Sequence, residues 1–162
     1  SFYDTSGIVT NDRGVTVWLK GNRVSRNQIM AIKEESVTEQ KNSLAVCLDN
    51  ILRHAGITRN TEYDLAQGKT ATTILSENMT GVQVLDLSGC TLDAVLYYVN
   101  QDIPVLAILD DGEAVLVTGF NEFNVVIMEP STGKLYKKGM NDATAWFAEN
   151  GNHFITYMRI EN

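Results

Sequence analysis

A thiolate activated by an imidazole is the most demanding chemistry this chain could support, since it holds two cysteines, Cys47 and Cys90, and two histidines, His54 and His153. A thiol becomes a useful nucleophile when a helix N-terminus or a neighbouring imidazole lowers its pKa and removes its proton. Cys47 and His54 share the segment "NSLAVCLDNILRHAG". Seven residues of helix hold them on the order of 10 Å apart, beyond any hydrogen bond, so they are not a dyad. The same helical period puts Cys47 about one turn inside, on the apolar face, where the amides are already bonded and the dipole has faded; it reads as core. Cys90 stands just before a second amphipathic segment and is better placed for a lowered pKa, but no local base accompanies it. His153 opens the last apolar run, where a structural role is the default.

The other reactive groups are carboxylates. Asp110, Asp111, Glu113, Glu122 and Glu129 make one stretch of the chain acidic and raise the question of whether Glu113, in "GEAVLVTGF", acts on anything. A hard-cation site needs several converging oxygens, and a solvated, charged turn is the simpler reading, so neither a metal nor another cofactor is expected. Two cysteines are too few for a disulfide framework and too far apart for a zinc knuckle; two free, buried thiols or one bridge remain open, with free thiols the expectation. With 13 basic and 20 acidic residues the formal charge is −7, which opposes nucleic acid and anionic membrane surfaces. No apolar run approaches the roughly 18 residues needed to cross a bilayer. The chain opens at Ser1 without methionine or a leader, which points to a processed protein or an excised domain.

At 162 residues and 44% hydrophobic, the chain is expected to build one main core. "GIVTNDRGVTVWLKGN" has two β-rich runs around Asn11 to Gly14 and predicts a hairpin. "RVSRNQIMAIKEES" reads as a short helix or an irregular arm. From Asn42 the period changes: Leu44, Cys47, Leu48, Ile51, Leu52 and Ala55 recur at three- and four-residue steps, with Asp49, Asn50 and Arg53 between them. That spacing predicts an amphipathic helix capped by Asn42 or Ser43 and closed by Gly56.

Two short helices broken near Gly68 follow, then the strand "VQVLDL" and a second amphipathic helix, "TLDAVLYYVNQ", capped by Thr91. Pro104 bars more helix and opens "PVLAIL". After a turn at Asp110 to Gly112, "AVLVTGF", "NVVIMEP" and "KLYKKG" predict successive strands; "DATAWFAEN" and "HFITYMRI" add a last helix and strand. Tyr97, Tyr98, Trp146 and Phe147 fall on predicted helices and are expected to pack in the core. Helices first and an antiparallel sheet afterwards make an α+β domain with segregated layers.

The succession "NSLAVCLDNILRHAG", "TLDAVLYYVNQDIPVLAIL" and "GEAVLVTGFNEFNVVIMEPSTG" resembles the C39 peptidases, papain-like cysteine peptidases known from bacteriocin processing. The resemblance runs from Val37 to Ile160 and rests on the order and spacing of these blocks. It implies a papain-like α+β fold over 37–162, with 1–36 as an N-terminal hairpin and arm. It puts the family's nucleophile at Ser43, its histidine at Glu113 and its aspartate at Glu129, with Gln40 as the nearest candidate for the oxyanion glutamine. Leu44 and Ala45 replace the Gly and Pro that follow the nucleophile. A serine hydroxyl, far from its pKa, needs a general base, and a carboxylate is a weak one at neutral pH.

The resemblance therefore implies a bacterial pseudo-peptidase with no catalytic residues, whose groove at Gln40, Ser43, Glu113 and Glu129 holds a peptide or protein segment for a larger protein. The alternative is an active cysteine peptidase using Cys47 or Cys90 with His153. Stand-alone relatives of the family are often secreted, so an extracytoplasmic location is the expectation.

Overall fold

A computed structural model describes residues 42–160 together with three short strands nearer the N-terminus, β1 (Ile8–Thr10), β2 (Thr16–Trp18) and β3 (Gln28–Ile29). β1 and β2 pair antiparallel, as the hairpin signal predicts. Gln40, and what remains of 23–36 outside β3, lie outside the described residues.

The first long element is α1 (Ser43–His54). Asn42 caps it, its side-chain oxygen accepting from the amides of Leu44 at 2.8 Å and Ala45 at 3.4 Å, and so satisfies donors that a helix start leaves without partners. Gly56, at φ +86°, takes the left-handed position beyond the last turn, which costs glycine nothing. Ala45, Cys47, Leu48, Ile51 and Leu52 form the inner stripe and are fully buried. Asp49 and Asn50, which fall between the apolar positions, are buried too. The Asp49 carboxylate accepts from the amide and the hydroxyl of Thr61, while the Asn50 amide donates to the Val46 carbonyl. The loop after α1 therefore folds back over that face.

Two short helices follow, α2 (Glu62–Ala66) and α3 (Ala71–Asn78), separated at Gly68 as the sequence predicts. Next come β4 (Val82–Asp86) and α4 (Leu92–Val99), the latter capped by Thr91. The remaining elements are β5 (Val105–Ile108), β6 (Ala114–Phe120), β7 (Asn124–Glu129), β8 (Lys134–Gly139), α5 (Met140–Glu149) and β9 (His153–Arg159).

Six strands line up in the order β4-β9-β5-β6-β7-β8, each pair antiparallel. α1 and α4 each pack on β5 and β6. All seven residues of β6 are buried, and so is the middle of β7. Side chains alternate between faces along a strand, so unbroken burial means that both faces of the sheet centre are covered. Tyr98 and Phe147 belong to the core, with Tyr97 and Trp146 packed half-buried against it. Burial pushes the Tyr98 phenol up to about 12.

The segment read as a short helix or an arm contributes β3, which pairs antiparallel with Gly119 and Phe120 of β6. The reason is geometric. The β5 ladder on β6 stops at Val117, while β7 continues along the opposite edge to Phe120. Backbone groups at Gly119 and Phe120 would otherwise lack partners on that side, and a short extended piece supplies them.

Candidate functional site

Ser43 is the first residue of α1, half-buried, and its Oγ accepts from the Ala114 amide at 2.9 Å. That bond fastens the start of α1 to the start of β6 and leaves Glu113 one residue away. Glu113 is delivered by a tight turn: Gly112 N–H donates to the Leu109 carbonyl at 2.9 Å, and Leu109 N–H donates to the Glu113 carbonyl at 2.7 Å. With Gly112 at φ +85°, this is the three-residue hairpin loop whose last position favours glycine. The Glu113 amide donates to the Asp111 carboxylate at 2.9 Å, and Glu113 itself is exposed.

Glu129 ends β7, the antiparallel neighbour of β6, and so lies at the same end of the sheet as Glu113. Its Oε1 accepts from the Ser131 amide at 2.8 Å, and its cross-strand partner is Lys134. The charge on Glu129 reaches α1: with burial as the larger cause, it holds the Cys47 thiol well above the usual range. Ser43, Glu113 and Glu129 are thus gathered at one end of the sheet around the first turns of α1.

The chemistry open to this arrangement is limited. The Leu44 and Ala45 amides at the start of α1 are already taken by the Asn42 side chain. Ser43 Oγ is occupied as an acceptor by the Ala114 amide, and among the described residues no histidine is hydrogen-bonded to it. Cys47 is fully buried, and both burial and a nearby carboxylate disfavour its thiolate. Among the described residues, no histidine is hydrogen-bonded to it.

His54 sits at the far end of α1, its Nε2 3.1 Å from the Asp102 carbonyl oxygen and 3.5 Å from the Asp102 carboxylate. It therefore ties α1 to the chain after α4, where Asp102 adopts φ +66°. His153 opens β9, opposite Ile108, and lines a polar hollow. Cys90 is buried in the turn before α4, and both cysteines are thiols. Among the described residues, no three His, Cys, Asp or Glu side chains gather as a metal ion would require. No helix among them is long and apolar enough to cross a membrane.

Two features are not legible from residue types and spacing. One is the buried Asp49–Thr61 contact. The other is the hollow at His153, whose walls come from Asp86 and Ser88 at the end of β4, Asp110 after β5 and Asn150 after α5, three segments that only the strand pairing brings together.

This element order, sheet and helix placement are those of the papain-like α+β fold of C39 peptidases. A Bacillus anthracis protein described from its crystal structure as a C39-like peptidase superposes with a TM-score of 0.66 at 12% sequence identity, over 83% of this chain and 98% of that one. At that identity the likeness establishes the fold. No protein-family model matches the sequence, and no curated protein matches it either.

Proposed function

We propose that this chain is a C39-peptidase-like domain without peptidase chemistry, serving as a peptide- or protein-binding or regulatory module of a larger protein. The observation that carries the reading is the state of the nucleophile position. Ser43 Oγ is held by the Ala114 amide, and the amides of Leu44 and Ala45 are taken by the Asn42 side chain. Glu113 and Glu129 are acids, and neither supplies the imidazole base that such a nucleophile needs. On this reading the end of the sheet at Ser43, Glu113 and Glu129 holds an extended segment that supplies its own backbone hydrogen bonds.

A thiol-labelling experiment tests the loss of chemistry. The native protein is treated with a peptidyl vinyl sulfone or with iodoacetamide, alongside Cys47→Ala, Cys90→Ala and His153→Ala. Neither cysteine is expected to label over a period in which the denaturant-unfolded chain labels fully, because both sulfurs are buried. Rapid labelling of one cysteine, abolished in His153→Ala, would establish a working cysteine peptidase and overturn the proposal.

A further inference from the structure

The hollow at His153 has a volume of about 400 Å³ and opens at the same end of the sheet as Ser43. Its floor is apolar: Ile108 and Leu109 line it and are only half-buried. Much of its polar wall is already committed. Ser88 donates through both its amide and its hydroxyl to Asp86, while Asn150 accepts from the Asp110 amide and donates to the Trp146 carbonyl. The Asp110 carboxylate and the His153 ring have no side-chain partner among the described residues, and no lysine or arginine lines the hollow.

Half-exposed aliphatic surface beneath acceptor groups suits a side chain with an apolar stem and a cationic head. A guanidinium presents five donors and no acceptor. It matches the exposed carboxylates and an imidazole nitrogen, with which it makes charge-assisted hydrogen bonds that an anion or a purely apolar group cannot offer.

Position adds a second constraint. A single row of cross-strand partners runs His153, Ile108, Ala114, from the hollow to the residue whose amide binds Ser43. Two interstrand spacings make that row about 10 Å, roughly three residues of extended chain. We propose that the hollow receives an arginine or lysine side chain of the segment held in the neighbouring groove, about three residues from the one seated at Ser43. This rests on the peptide-binding reading above and gives the bound segment its chemical class: basic.

Amide-resolved NMR titration of the full chain with Nα-acetyl-arginine amide tests the hollow. Saturable shifts are expected at Asp110, Gly151 and His153. The affinity should fall at least tenfold in Asp110→Asn and stay unchanged in Glu122→Gln, an acid on the β6–β7 turn at the other end of the sheet. Nα-Acetyl-norleucine amide should shift none of these amides. No saturable shift, or equal affinity in Asp110→Asn, overturns the hollow as a cation site.

A hexapeptide with one arginine, and agmatine as a free cation, separate the two readings. Peptide shifts at Asp110 and His153 together with Ser43 and Ala114 support both. Shifts at Ser43 and Ala114 that survive Asp110→Asn keep the groove and sink the hollow. Shifts confined to the hollow, with agmatine binding as tightly as the peptide, leave a cation site and sink the groove.

Discussion

Ser43→Cys combined with Glu113→His is expected to turn a chain with unreactive thiols into one that alkylates rapidly at a single position. The new sulfur would stand at the first residue of α1, half-exposed, where the helix dipole favours the thiolate. In Ser43→Cys alone, the neighbouring Glu113 carboxylate works against that charge and its pKa is held up. Replacing Glu113 with histidine removes the like charge and supplies a proton acceptor one residue from the amide that Ser43 now binds. An ordinary cysteine near pKa 8.5 is only about 3% thiolate at pH 7, so a shift to about 6.5 raises the reactive fraction by more than ~20-fold.

The double variant should therefore react with iodoacetamide at pH 7 on the order of 10-fold faster than the single one, and its pH–rate profile should rise at lower pH. Rates measured by mass spectrometry on the 43-containing peptide check this. Equal rates in the two variants would mean that position 113 does not face the helix start. The lost Ser43–Ala114 hydrogen bond costs about 1 kcal/mol, too little to unfold the domain.

The blocks that made this site readable are local. α1 follows from the spacing of Leu44, Cys47, Leu48, Ile51 and Leu52, and its limits follow from the chemistry of Asn42 and Gly56. The strands follow from β-branched runs, and the Asp110–Gly112 turn from the need for a left-handed glycine. Hydrophobic period and turn chemistry act over a few residues, so one sequence displays them. The meeting of Ser43 with Ala114 spans 71 positions. It could be anticipated only because the order of blocks resembled a known fold.

What local pattern could not show has a common cause. β3 forms because β6 outlasts β5, a fact about strand lengths and not about the composition of its own charged segment. The hollow exists because pairing Ile108 with His153 and Asp86 with Ile155 brings three strand ends together. Asp49 lies between the apolar positions of an amphipathic helix, and nothing in α1 reveals that Thr61 will cover it. Helical period reports which residues share a face, but not whether a later loop closes over the polar one.

Asp49→Ala is accordingly expected to be among the most destabilising substitutions of a polar residue in this domain. Oδ1 of Asp49 accepts from the Thr61 amide at 2.8 Å and from the Thr61 hydroxyl at 2.7 Å, with Asp49 only 6% and Thr61 0% exposed. Truncation leaves the amide buried without an acceptor. The hydroxyl keeps its longer contact to the Ala45 carbonyl, 3.3 Å away. An orphaned buried donor costs about 1–3 kcal/mol, and a lost charge-assisted bond adds about 1.5–3 kcal/mol, which together give about 3–5 kcal/mol.

Asp49→Asn keeps an oxygen acceptor of the same shape and should cost about 1–2 kcal/mol, so the gap between the two variants isolates the acceptor from the packing. Urea-denaturation midpoints at constant slope measure both. If alanine and asparagine destabilise equally, the Thr61 contact is not what holds the 57–61 loop against α1. Because that loop packs on the helix whose first residue is Ser43, the same alanine variant should also loosen the groove. Its Ser43 and Ala114 amides should exchange faster with solvent even under conditions where the fold survives.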